Sequence, residues 1–134
     1  MQNLRVEIIC VTIDCDDPAR VANFWNEALR WGGVAVADDG SGAMCGPRSG
    51  GSYLEFIRVP EGKERKNRVH LGCSAGSLTQ LDGEIERLVG LGATLAWEEE
   101  FAPEIAALYR NLVLRDPEGN EFCLSGGDMA GPAS

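Results

Sequence analysis

The feature that most constrains this chain is an internal repeat. The stretch Ile9–Cys15 is rich in Ile and Cys, and Val69–Ala75 answers it sixty residues later. Each is followed by an amphipathic helical pattern, Pro18–Trp31 and Leu78–Leu91, and each pattern runs into a glycine at the same spacing, Gly32 and Gly92. Strand patterns close each half, with Leu54-Glu55-Phe56 answering Phe122-Cys123-Leu124. A repeat of the type β-α-β-β-β predicts an α+β fold of two paired modules, with eight strands and two main helices. Their sheets are expected to form a half-open, barrel-like surface around a central cavity.

Local signals place the elements. A strand is expected over 5–15. Asp17 suits a helix N-cap and Pro18 the first helical position. Val21, Phe24, Trp25, Ala28 and Leu29 then fall on one helical stripe, which reads as core rather than as a ligand-stacking surface. Strands are expected over 34–37, 43–45 and 52–59, with a glycine-rich loop at Gly46–Ser52. Pro60–Lys66 is charged and carries Pro and Gly, so it reads as the connector between halves. A strand over 68–73 follows. Ser77 with Gln80 forms a capping box ahead of a stripe of Leu78, Leu81, Ile85, Leu88 and Val89. After a strand over 94–97, a hairpin pairs 108–114 with 121–124 through Asp116-Pro117-Glu118-Gly119-Asn120. Asp116 can cap that turn with its side chain, Pro117 presets φ, and Gly119 supplies positive φ. The expected organisation is one domain, 1–126, built of modules 5–60 and 66–126, with a flexible tail at 127–134.

The chain of 134 residues carries a net charge of −9. No basic excess is present to neutralise phosphates, which argues against nucleic acid or an anionic membrane as partner. No apolar run approaches the roughly 18 residues of a membrane span. The N-terminus lacks a basic region followed by an apolar stretch and a cleavage site, so a cytoplasmic location is expected. The five cysteines, Cys10, Cys15, Cys45, Cys73 and Cys123, are odd in number and contain no Cys-x-x-Cys spacing. That pattern fits buried thiols better than a disulfide framework or a zinc knuckle.

Three stretches carry a resemblance. They are Ile13-Asp14-Cys15-Asp16-Asp17-Pro18-Ala19-Arg20 with Phe24-Trp25, then Lys66-Asn67-Arg68-Val69-His70-Leu71, then Asp116-Pro117-Glu118-Gly119-Asn120-Glu121-Phe122-Cys123. Together with the repeat, they resemble the vicinal oxygen chelate (VOC) superfamily, in its glyoxalase-like and bleomycin-resistance-like branch, over residues 5 to 126. Metal-dependent members of that superfamily bind Fe, Mn, Zn or Ni through side chains from four strands. The resemblance maps those positions onto Cys10, Glu55, His70 and Cys123. Two keep familiar ligand types and two do not.

Three readings of that set stand open. In one, the protein is metal-free, Glu55 is a cavity carboxylate and His70 an acid–base or hydrogen-bonding group, because two N or O ligands hold Fe²⁺ or Mn²⁺ poorly. In another, thiolate, imidazole and carboxylate hold zinc. In the third, His70 is a core histidine and Glu55 faces solvent. Strand alternation adds Thr12, Tyr53 and Glu121 to the candidate ligand-binding residues. Trp97 and Arg68 join them, and Arg110-Asn111 stays ambiguous. Two functions follow from the resemblance. One is a binding protein for a small, partly apolar and cationic metabolite or antibiotic. The alternative is a metal-dependent lyase, isomerase or dioxygenase using His70 and Glu55. A homodimer is the usual assembly in the superfamily.

Overall fold

The computed structural model describes residues 5–128. The chain divides into two compact units at Gly62/Lys63, inside the charged connector. Among the described residues there are eight strands and three helices, an α+β arrangement.

The first unit comprises β1 (Cys10–Cys15), α1 (Pro18–Ala28), β2 (Val34–Val36), β3 (Gly42–Cys45) and β4 (Tyr53–Arg58). The sheet order is β1-β4-β3-β2, with β1 parallel to β4 and the other pairs antiparallel. Helix α1 starts as its sequence predicts: the Asp17 carboxylate accepts from Arg20 N at 3.2 Å, with Pro18 next in line. It buries Val21, Ala22, Phe24 and Trp25, and β3 and β4 add Ala43, Cys45, Leu54 and Phe56 to this core. Each of the large side chains contributes about 2 kcal/mol by leaving water. The Phe24 and Trp25 rings meet edge to face at 5.4 Å.

Two boundaries differ from expectation. Strand β1 begins at Cys10, not Arg5, because its partner in the sheet, β4, begins at Tyr53 opposite Cys10. Upstream, Tyr53 N donates to Ile9 O and Ser52 Oγ to Ile8 O, and Val6 and Ile8 stay exposed. Helix α1 ends at Ala28, before the Gly32-Gly33 pair. Arg30 takes a positive φ of 53°. Arg30 N donates to Glu27 O and Trp31 N to Asn26 O, the two bonds of a Schellman cap with arginine where glycine is usual.

The second unit repeats the plan with β5 (Leu71–Ser74), α2 (Leu78–Leu91), β6 (Thr94–Glu98), α3 (Pro103–Ala106), β7 (Tyr109–Arg115) and β8 (Glu121–Gly127). Its order, β5-β8-β7-β6, matches the first sheet strand for strand, with β5 parallel to β8. The two βαβββ modules expected from the repeat are therefore both present. Each makes an open four-stranded sheet, and neither closes into a barrel. Gln80 Oε1 accepts from Ser77 N at 3.0 Å, the expected capping contact. Leu81 and Leu88 of α2 are buried together with Leu112, Leu114, Phe122 and Leu124. The short α3 was not foreseen from the sequence pattern. Strand β8 runs to Gly127, so part of the expected tail is sheet, and residues 129–134 lie outside the described residues.

The closing turn forms as its residues dictate. Asp116, buried, accepts from Glu118 N at 2.9 Å and Asn120 N at 3.0 Å, and Gly119 has φ 86°. No helix among the described residues is long and apolar enough to cross a membrane.

Candidate functional site

In the first unit, α1 covers one face of the sheet and the side chains of Cys10, Thr12, Tyr53 and Glu55 belong to the other. Register fixes this: Cys10 stands opposite Tyr53, Thr12 opposite Glu55, and Met44 on β3 opposite Glu55. Alternate residues Leu54 and Phe56 are buried in the core, so the odd-numbered positions of β4 face away from it. Thr12 Oγ1 donates to Glu55 Oε1 at 2.9 Å, and Cys10 Sγ lies 3.8 Å from Thr12 Oγ1. The Tyr53 phenol is raised above its ordinary pKa, first by its hydrogen bond with Cys10 and then by the charges of Cys10 and Glu55. Four candidate residues form one polar strip, half-buried except for exposed Thr12, with Met44 and Ile57 as apolar neighbours on the same face.

In the second unit, β8 presents Glu121, Cys123 and Ser125 on the face away from α2, while Phe122 and Leu124 enter the core. Glu121 is buried and fully engaged. Lys63 Nζ lies 3.0 Å from Oε1, Arg115 Nε 3.2 Å from Oε2, and Asn67 N donates to Oε1 at 2.8 Å. Burial alone would raise the Glu121 pKa. The Asn67 N–H and the two cations outweigh it and hold the carboxyl at about 2. Lys63 also donates to Arg65 O, and Asn67 Nδ2 to Asn120 Oδ1. Glu121 thus ties the connector onto the base of the last hairpin.

His70 is exposed and sits one residue ahead of β5, outside the strand in which it was expected. The β5–β8 ladder starts at Leu71 opposite Phe122, one residue into β8. The expectation of a core histidine is therefore not met. Arg68 is likewise exposed in the loop before β5. Cys123 is half-buried opposite Gly72 and Val113. Trp97 is 37% exposed, with Nε1 donating to Glu99 Oε1 at 3.0 Å. Of the ambiguous pair, Arg110 is held on the helix side by Glu98 and Asp82, at 2.9 and 3.0 Å, and its hydrogen bonds lower the Glu98 pKa. Asn111 lies on the other face, and its Oδ1 is buried with no hydrogen-bond partner among the described residues. Such an orphan costs about 1–3 kcal/mol. No sequence signal distinguishes Asn111; its spacing from Arg110 shows only that the two face opposite ways.

The four metal positions implied by the resemblance fall two in each unit, Cys10 and Glu55 in one, His70 and Cys123 in the other. Among the described residues, neither unit gathers three His, Cys, Asp or Glu side chains into a group able to hold a metal ion. Two donors, one of them a cysteine in each case, do not make a complete site for Fe²⁺ or Mn²⁺. The donor set within a unit does not fit a resident metal.

A helix-backed four-stranded sheet, built twice with the same strand order and a parallel first-to-last pair, defines a glyoxalase-like fold. Residues 10–125 match the family model described as a glyoxalase-like domain, and the chain belongs to that family, within the VOC superfamily. Solved structures agree on the fold. A glyoxalase/bleomycin resistance protein/dioxygenase family enzyme from Burkholderia phytofirmans PsJN is 17% identical, with TM-score 0.68 over 92% of this chain and 100% of that one. A mutant fosfomycin resistance protein, FosX, from Listeria monocytogenes, solved with Mn(II) and 1S,2S-dihydroxypropylphosphonic acid, is 12% identical, with TM-score 0.72 over 95% and 94%. A possible glyoxalase from Bacillus cereus is 17% identical, with TM-score 0.65 over 90% and 98%. No curated protein sequence matches the chain.

Proposed function

We propose that this protein binds a small, partly apolar cation on the face of its first sheet opposite α1, with Glu55 as the recognising carboxylate. The observation that carries this reading is the Thr12–Glu55 hydrogen bond of 2.9 Å. It fixes the orientation of a half-buried carboxylate and leaves Oε2 for a ligand donor. A bond from an ammonium or guanidinium to a carboxylate is about twice as strong as a neutral one. The Tyr53 ring lies on the same face, and Met44 and Ile57 supply apolar contact. The charge of −9 favours approach of a cation over an anion. A second copy of the chain, as a homodimer, is the partner proposed with it.

The metal-dependent alternative, with His70 and Glu55 as acid–base pair, has less support, since His70 stands exposed ahead of its strand. The test is thermal denaturation with a panel of small primary amines and guanidines, on wild type, Glu55→Gln and Thr12→Val. At least one cation raises the melting temperature of the wild type, the Gln variant loses that response, and the Val variant weakens it. An equal response in Glu55→Gln, or none from any cation, overturns the reading.

A further inference from the structure

We infer that the strap formed by residues 63–68 is a docking surface for a short acidic segment of a partner protein. The side chains of Arg65, Lys66 and Arg68 read its carboxylates. None of these residues belongs to the Glu55 strip, and all lie in the second unit.

Four of the chain's twelve lysines and arginines fall within these six residues, beside a single acid, Glu64. Elsewhere cations are engaged: Arg110 by Glu98 and Asp82, Arg87 by Glu84, Arg115 by Glu121. Lys63 is engaged by Glu121 as well. Arg65, Lys66 and Arg68 are exposed, and among the described residues their side chains have no ion pair or hydrogen bond. The backbone that carries them is nevertheless held. Lys63 Nζ donates to Arg65 O, Asn67 N to Glu121 Oε1 at 2.8 Å, and Asn67 Nδ2 to Asn120 Oδ1 at 3.1 Å. A partner thus meets three free cations on a backbone already ordered, which lowers the entropy cost of binding. Glu121, against which the strap lies, is compensated by Lys63 and Arg115 and opposes an incoming carboxylate little.

The net charge of −9 repels anions at long range. At physiological salt that field is screened beyond about 8 Å, so at contact the strap's own cations decide. The small extent of the patch selects the partner. A long polyanion such as nucleic acid would run on to the acidic remainder of the chain. An acidic segment of a few residues, with carboxylates repeating along an extended backbone, ends where the patch ends.

The experiment follows fluorescence anisotropy of a labelled hexaglutamate peptide, with hexaglutamine and a six-nucleotide thymidylate oligomer as comparison probes. Wild type binds hexaglutamate, more weakly as salt rises, and does not bind hexaglutamine. Arg65→Gln, Lys66→Gln and Arg68→Gln each weaken binding about threefold, and the triple variant about tenfold or more. Arg48→Gln, which removes the same charge from an exposed residue of the first unit, leaves it unchanged. No binding of hexaglutamate, an equal loss in Arg48→Gln, or tighter binding of the oligonucleotide than of the peptide would overturn the inference.

Discussion

The substitution Glu121→Gln isolates the most heavily engaged charge in the second unit. The Glu121 side chain is 3% exposed and contacts Lys63, Arg115 and the Asn67 N–H. Its pKa is displaced from 4.5 to about 2, with burial opposing the shift and the Asn67 bond and the two cations overcoming it. That displacement corresponds to about 3 kcal/mol, reduced to about 2–3 because Arg115 is partly exposed and screened. The sign follows from linkage. A carboxyl with a depressed folded pKa stabilises fully above its unfolded value near 4.5 and loses that stability as pH falls toward 2. Urea denaturation at pH 7 should find Glu121→Gln less stable by about 2–3 kcal/mol. By pH 3 the gap should shrink to about half. A gap unchanged between pH 7 and pH 3, or one below about 0.5 kcal/mol at pH 7, would show that the network does not hold the fold as its geometry implies.

Two further outcomes follow from backbone and thiol environments. Gly127 has φ 100°, and a Cβ there would lie 2.0 Å from Leu108 O, a backbone atom; Gly127→Ala should cost about 2–4 kcal/mol by chemical denaturation, and a loss below 0.5 kcal/mol would show that β8 does not end in this conformation. Burial pushes the Cys45 and Cys73 thiols up to about 11, with Cys123 adding to the effect on Cys73, and Cys15 is buried; native alkylation at pH 8, read by peptide mass spectrometry, should therefore label Cys10 and Cys123 well before the other three.

The fold was legible wherever a short-range pattern matched its long-range partner. The repeat announced two modules of the βαβββ type, Asp17-Pro18 and Ser77 with Gln80 set the helix starts, and Asp116 to Asn120 set the last turn. The misses are of another kind. Where β1 begins depends on where its partner β4 begins, more than forty residues away, and β5 begins only where its ladder with β8 does. The end of α1 at Arg30 could not be read, because Gly32-Gly33 offered a cheaper stop and the chain took the arginine instead. Tertiary pairing overrode local preference in each case.

The site shows the same division more sharply. Strand alternation put Thr12 on the face of Cys10 and Tyr53 on that of Glu55, since period 2 is a local property, and the β1–β4 register brings the two pairs together. Alternation also set Glu121 on the face of Cys123, and there the reading of a ligand-binding carboxylate met a fact that spacing does not contain. Lys63 and Asn67 lie more than fifty residues upstream, and they reach Glu121 only because the connector folds back over the hairpin base. A carboxylate with two cations and a backbone N–H at hydrogen-bond distance has little capacity left for a ligand. Glu55, with a single threonine on one oxygen, keeps that capacity. Two glutamates on strands β4 and β8 of repeated modules thus take different parts, one anchoring the chain and one open to recognition, and the number of donors already seated on each carboxylate decides which is which.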